Sequence, residues 1–300
     1  MFSPLLVPLD GSHQAEAVLP LAAALARRLG ASVSLLHVIE RDAPPAVHGE
    51  PHLTTSDAAE AYLAALAARF FDDADSVQRH VHTTAEADVA RSIVAHAEEW
   101  RSELIVLCTH GRGHLRHRLF GTVAQRVLDL GTMPVLLLHP HAAAPGTFEC
   151  RRFLVPLDAQ PEHAAALPIA AELARECGAA LQLLAVVPTL ETLSGTEARK
   201  GYLLPSTTAA LLDLEAKDLD AYVRNLAAEV AATGIEVTVD LSRGDPGTAI
   251  VEAATRHHVD LIVMATHTKG GLDAFWAGSV APKVAKRAWT PMLLVPLARG

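Results

Sequence analysis

The chain is written twice. Leu6-Val7-Pro8-Leu9-Asp10 returns as Leu154-Val155-Pro156-Leu157-Asp158. Val33-Ser34-Leu35-Leu36-His37-Val38 returns as Leu181-Gln182-Leu183-Leu184-Ala185-Val186, and both repeats are shifted by 148 residues. Leu104-Ile105-Val106-Leu107-Cys108-Thr109-His110 returns as Leu261-Ile262-Val263-Met264-Ala265-Thr266-His267, now shifted by 157. Gly121-Thr122-Val123-Ala124 returns as Gly278-Ser279-Val280-Ala281, and Pro134-Val135-Leu136-Leu137-Leu138 as Pro291-Met292-Leu293-Leu294-Val295. Five blocks in one order mark a duplicated unit. The change of shift places nine extra residues in the middle of the second half. The seam falls in the small, polar and Pro/Gly stretch 139–149, which predicts domains at 1–143 and 144–300.

Each half alternates strand and helix. In the first, residues 5–9 read as a short apolar strand. Residues 13–29 read as a helix stopped by Gly30, and 33–38 as a second strand. Residues 57–71 follow as a helix with Asp57 and Glu60 at capping-box spacing, and 77–82 as an edge strand. Residues 87–100 (helix), 104–108 (strand), 122–130 (helix) and 135–138 (strand) complete the half. In the second half Asp245-Pro246 opens a helix, with Asp at the N-cap and Pro at the first position. Alternating units with near-continuous apolar strands imply a parallel sheet covered by helices on both faces. The expected fold class is therefore α/β, two tandem domains that each hold a five-stranded parallel sheet with helices on both faces. The stretches 40–55 and 188–208 are long for connections and read as lids or tethers.

Composition narrows the function. Half of the 300 residues are hydrophobic but only 4% are aromatic, so the cores are aliphatic and stacking platforms for single-stranded nucleic acid are scarce. The formal net charge of −9 argues against nucleic acid or an anionic membrane as the main partner. Three cysteines, Cys108, Cys150 and Cys177, give neither a disulfide framework nor a zinc spacing and fit a reducing cytosol. With no signal peptide or membrane span to be read, the expected location is cytoplasmic.

In a doubly wound sheet a ligand binds outside the carboxyl ends of the strands, where the winding reverses. The first strand delivers Pro8-Leu9-Asp10-Gly11-Ser12 there, the fourth Cys108-Thr109-His110-Gly111-Arg112-Gly113, and a helix starts at Gly121-Thr122. Glycines let backbone N–H groups approach phosphate oxygens, a helix N-terminus favours an anion, and Thr122 adds a hydroxyl. Asp10 is placed for a ribose hydroxyl or a phosphate-bound Mg²⁺. These residues describe a nucleotide cradle, although neither a P-loop nor a complete GxGxxG is present.

Both halves resemble universal stress protein domains, and the whole chain resembles a tandem member of that family, which implies two flavodoxin-like (Rossmann-like) domains with the strand order 3-2-1-4-5. The marks are Val-Pro-Leu-Asp at 7–10, Leu-Leu-His-Val at 35–38, Thr-His-Gly-Arg-Gly at 109–113, the Gly-Thr-Val-Ala helix start and the closing Pro-Val-Leu-Leu-Leu. ATP-binding members carry Gly, two residues, Gly, nine residues, then Gly with Ser or Thr. Here the first half has Cys108, Gly111 and Gly121-Thr122, and the second Ala265, Thr268 and Gly278-Ser279. Thr268 is the poorer fit, because a β-branched residue resists positive φ. The resemblance implies a site of Pro8, Asp10, Val38, Cys108, His110, Gly111, Arg112, Gly121, Thr122 and Val123. It implies a weaker second site of Pro156, Asp158, Val186, Ala265, His267, Gly278, Ser279 and Val280. Val38 and Val186 would meet the adenine through backbone atoms. The implied ligand is ATP, with AMP and ADP fitting the same cradle and Mg²⁺ carried by ATP. An internal pseudo-dimer through the last strands, and a homodimer beyond it, are also implied.

The resulting expectation is a cytosolic stress-response protein that binds ATP mainly in its first half and acts as a sensor or regulator. It is not read as an enzyme: nothing positions an attacking water or a general base, so any hydrolysis should be slow. The rival is an interaction or scaffold protein of the same fold. Several chemical readings give way to simpler ones. Cys108 with His110 is more simply a small buried thiol beside a histidine. Asp10, Ser12 and His13 are too close in sequence to converge as a triad, and Asp10 or Ser12 can cap the following helix. Arg116, Arg118, His114 and His117 read as a solvated loop face. His80/His82 and His257-His258 lack an evident third ligand, so a metal site is not read there.

Overall fold

The computed structural model describes residues 2–73, 76–109, 121–140, 149–193, 195–266 and 280–297. They fall into two compact units. The first holds residues up to 140 and 291–297, the second 149–266 and 280–290.

The first unit runs β1 (Leu5–Pro8), α1 (His13–Glu16), α2 (Leu19–Leu29), β2 (Val33–Glu40), β3 (Ala46–Val47), β4 (Glu50–Pro51), α3 (Ser56–Phe70), β5 (Gln78–Glu86), α4 (Val89–Glu99), β6 (Leu104–Cys108), α5 (Thr122–Leu130) and β7 (Val135–Leu138). Its sheet has the order β5-β2-β1-β6-β7, with every pair parallel. Counting the five principal strands, this is 3-2-1-4-5, the doubly wound arrangement. Leu5, Leu6, Leu35, Leu36 and Ile105 are fully buried, as parallel strands covered on both faces require.

The second unit runs β8 (Arg152–Leu157), a 3₁₀ turn (Pro161–Ala165), α6 (Ala166–Cys177), β9 (Ala180–Val187), α7 (Gly195–Leu203), α8 (Pro205–Ala231), β10 (Val237–Arg243), α9 (Pro246–Arg256), β11 (Leu261–Thr266) and α10 (Val280–Arg287). Its strands lie in the order β10-β9-β8-β11, again parallel. The fifth strand of this half is β12 (Met292–Pro296), which falls in the first compact unit. It runs antiparallel to β7, with Met292 opposite Leu137 and Leu294 opposite Val135. An otherwise bare edge of β7 is thereby paired. Among the described residues no helix is long and apolar enough to cross a membrane.

Three expectations about local structure are corrected. The helix expected over 13–29 is two helices, because Pro20 has no N–H for the Glu16 carbonyl and its ring crowds that turn; α2 restarts behind Val18. The Asp57–Glu60 capping box does not form. The helix begins one residue earlier, its N-cap Thr55 makes no side-chain cap, and Glu60 instead accepts a hydrogen bond from Ser56 Oγ at 3.0 Å. The stretch 188–208 is not a simple loop: much of it is α7 and the start of α8, a 27-residue helix that takes up the extra length of the second half.

Candidate functional site

The first unit has a cleft of about 490 Å³ outside the carboxyl ends of β1, β2 and β6. Pro8, Asp10, Val38 and Cys108 line it from the strands, and Thr122 and Val123 from the start of α5. Leu9 N–H donates to the Leu36 carbonyl at 2.8 Å, carrying the ladder one residue past β1 and setting Asp10 on the rim. Oδ1 of Asp10 accepts from Ser12 N–H at 2.9 Å and from Ser12 Oγ–H at 2.6 Å. Ser12 Oγ in turn accepts from Ala15 N–H at 3.1 Å. Ser12 is therefore the helix cap, and Asp10 braces it with one oxygen while the other lies 3.7 Å from His48 Nε2. His13 turns out toward Glu16 and Glu50, so no triad assembles.

The stretch 40–55 is one wall of this cleft. β3 and β4 form a small hairpin across His48-Gly49, both at positive φ, as a tight two-residue turn requires. Val47, His48 and His52 face the cleft. Three contacts hold the wall. Glu50 accepts His13 N–H at 2.7 Å. The buried His37 ring lies between the Leu9 and Leu53 carbonyls, at 2.8 and 3.2 Å. Leu53 packs so closely on Gly11 that a Cβ there would sit 2.9 Å from its side chain. Gly11 also has φ +92°, so a glycine is needed twice over.

Gly121 caps α5 with φ 79° and ψ 145°, a conformation essentially closed to other residues. The first N–H groups of a helix have no partner within it, so this turn offers donors to an anion. Burial, with Asp10 adding to it, pushes the Cys108 thiol up to about 12. Burial thus favours the protonated thiol, which donates to the Thr109 carbonyl at 3.4 Å, and no group beside it lowers the thiol toward a thiolate. His110, Gly111, Arg112 and the basic stretch 114–118 lie outside the described residues.

Among the cleft residues that motifs did not reveal are the wall residues His48 and His52 and the pair Asp88 and Arg126. Asp88 caps α4 by accepting Arg91 N–H at 3.2 Å, and it pairs with Arg126 of α5. Burial opposes the Asp88 charge, but Arg126 and Arg91 outweigh it and hold the carboxyl below the usual range. The signal was in the repeat: a shift of 157 takes Asp88 to Asp245 and Arg126 to Lys283, and Lys283 Nζ lies 3.2 Å from Asp245 Oδ2.

The second unit treats the corresponding residues differently. Asp158 Oδ1 accepts Gln160 N–H at 3.0 Å, and His163 Nδ1 lies 2.9 and 2.7 Å from its two oxygens. Pro156, Val186 and Ala265 are half-buried at the strand ends, and Val280 opens α10. His267, Thr268, Gly278 and Ser279 lie outside the described residues.

A doubly wound sheet with a glycine-capped helix at its switch point defines a class of α/β ligand-binding folds. The universal stress protein family matches this chain over residues 1–139 and again over 149–296. The chain belongs to that family and is a tandem two-domain member. It is 31% identical over 145 residues to a universal stress protein of Methanocaldococcus jannaschii, covering 48% of this chain and 81% of that protein. It is 29% identical over 138 residues to one from Synechocystis, covering 46% of this chain and 86% of that protein. The crystal structure of a universal stress protein from Archaeoglobus fulgidus superposes with a TM-score of 0.72 at 21% identity, covering 99% of this chain and 98% of that one.

Proposed function

We propose that the first unit binds an adenine nucleotide, ATP with Mg²⁺, and that the chain acts as a nucleotide-responsive regulator. The observation that carries this reading is the pairing of two features in one cleft. Gly121, in its glycine-only conformation, opens α5, whose first turn lines the cleft at Thr122 and Val123, and the braced carboxylate of Asp10 lines the same cleft. The cleft volume falls in the range of small-molecule sites, roughly 300–1,000 Å³. Asp10 and Glu40 line it while Arg126 is taken up by Asp88, so bare phosphates would meet repulsion, and a divalent ion carried with them offsets that charge. The raised, hydrogen-bonded thiol of Cys108 is a poor nucleophile, which favours binding over catalysis.

The test is calorimetry of ATP on the full chain with and without Mg²⁺, repeated on Asp10→Ala. Binding near one ATP per chain, stronger with Mg²⁺ and weakened by the substitution, is expected. No binding to the folded chain overturns the reading in favour of an interaction module of the same fold. That rival is favoured by one observation: Tyr202, Leu203 and Leu204 are largely exposed where α7 meets α8.

A further inference from the structure

Three histidines converge in the first unit, away from any role assigned above. His80 and His82 are two apart on β5 and so share one face of the strand. His96 comes from the buried side of α4, and one nitrogen from each of the three rings lies within 4.8 Å of the others. Nδ1 of His82 is 3.0 Å from Nε2 of His96. Their outward nitrogens face carboxylates: His82 Nε2 is 3.3 Å from Glu86 Oε1, and His96 Nδ1 is 3.4 Å from Glu99 Oε2. That buried His96 Nδ1 makes no hydrogen bond among the described residues.

We propose that His80, His82 and His96 bind a divalent transition-metal ion of the zinc class, with Glu86 and Glu99 as the outer partners of two of the ligands. Imidazole ligands suit zinc, copper and nickel. Metal–nitrogen bonds of about 2.0–2.1 Å in a tetrahedron set ligand nitrogens roughly 3.4 Å apart, so modest side-chain rotation brings these rings to bonding distance. A ligating histidine ordinarily directs its second nitrogen at a carboxylate; His82 does so toward Glu86, and Glu99 stands 3.4 Å from His96 Nδ1, within reach of the same role. Burial and the neighbouring rings hold His80 and His96 below the ordinary imidazole value, leaving lone pairs available at neutral pH. Three protein ligands leave a fourth position for water or a ligand.

The simpler reading is an aromatic cluster, since His96 stacks on Trp100 at 4.7 Å and His80 meets Trp100 edge-on at 5.1 Å. Packing alone does not call for three histidines here. The second unit builds the same strand and helix without them. His80 stands opposite Leu36, whose repeat Leu184 stands opposite Asp240. His82 stands opposite Val38, whose repeat Val186 stands opposite Ser242. The 157-residue shift takes His96 to Ala253.

The experiment uses untagged full-length chain, stripped with chelator and dialysed, and titrated with Co²⁺ and then Zn²⁺. Expected are a visible Co²⁺ absorption band, about one ion per chain, and its displacement by Zn²⁺. His80→Ala and His82→Ala should each weaken binding tenfold or more, and His257→Ala should not. His80 is exposed and His82 half-buried, so both variants are expected to fold, and circular dichroism checks this. Glu99→Gln should weaken binding by a smaller factor while leaving the ligands in place. A folded wild type that binds no ion overturns the proposal. So does binding that is equal in wild type and in the His80→Ala/His82→Ala double variant.

Discussion

Asp10 and Asp158 end the first strand of each repeat within the same Val-Pro-Leu-Asp sequence, yet they are used differently. Asp10 spends one oxygen on Ser12 and turns the other toward the cleft. Asp158 has no serine two residues on. Its carboxylate is clasped by His163 from the 3₁₀ turn that stands where the first unit has α1. The connection after the second strand differs as well. In the first unit it is a hairpin that walls the cleft, and in the second it is two helices. Duplication preserved the strands, because burial on both faces fixes them, and left the strand-end chemistry free to diverge.

Of the two units, the second should respond most strongly to a change in its core. Phe153 is fully buried in β8, so Phe153→Ala should destabilise that unit by about 3–5 kcal/mol in a denaturant titration. ATP binding by the first unit should survive at concentrations where the chain stays folded; its loss would end the separation drawn between the units.

Gly121→Val forces a β-branched residue into a conformation that costs on the order of 1–3 kcal/mol. Calorimetry should register a loss of ATP affinity of tenfold or more, while Asp158→Ala leaves affinity and stoichiometry as they were. A drop with Asp158→Ala would restore a site to the second unit.

Ser12→Ala removes a cap worth about 1 kcal/mol and also frees the brace on Asp10. A shift in the urea midpoint accompanied by weaker ATP binding would sharpen the contrast with Asp158. A stability loss alone would reduce Ser12 to a cap.

Acidification should give the smallest effect, and it should be shared. In both Asp88 and Asp245 burial opposes the charge. Arg126 and Arg91 outweigh it at Asp88, Thr248 and Lys283 at Asp245, so both carboxyls are held low in the folded chain. A depressed folded pKa gives stability that is complete above the unfolded value, about 3.9, and lost as pH falls through the folded one. These pairs are partly exposed, so each contributes about 0–1 kcal/mol. Asp88→Asn keeps a capping side chain, and its urea midpoint should change less than wild type's between pH 7 and pH 3.

Some of this was legible in the chain and some was not. The strand Leu104–Cys108, the helix Thr122–Leu130 and the strand Val135–Leu138 stand at the bounds their apolar pattern predicts. The Asp245-Pro246 helix start is equally local, with Thr248 N–H donating to Asp245 at 3.0 Å. The cleft residues at β1, β6 and α5 were legible because strand ends and a glycine before a helix are local signals. The wall formed by His48 and Leu53 was not, since it depends on where a hairpin folds back. Nor was the link between Asp88 and Arg126, which are 38 residues apart.

The duplication, the α/β class and the resemblance to the family could be read along the chain, because each rests on periodicity and on motifs contiguous in it, and the winding followed from that resemblance. Only the folded chain fixed that β12 runs antiparallel to β7, Met292 opposite Leu137, and that 40–55 walls the cleft. It alone brought His96 to His82 across 14 residues. Side-chain chemistry can be read along a chain, but the convergence of groups on separate elements is set by how helices pack on the sheet, and no local pattern encodes that distance.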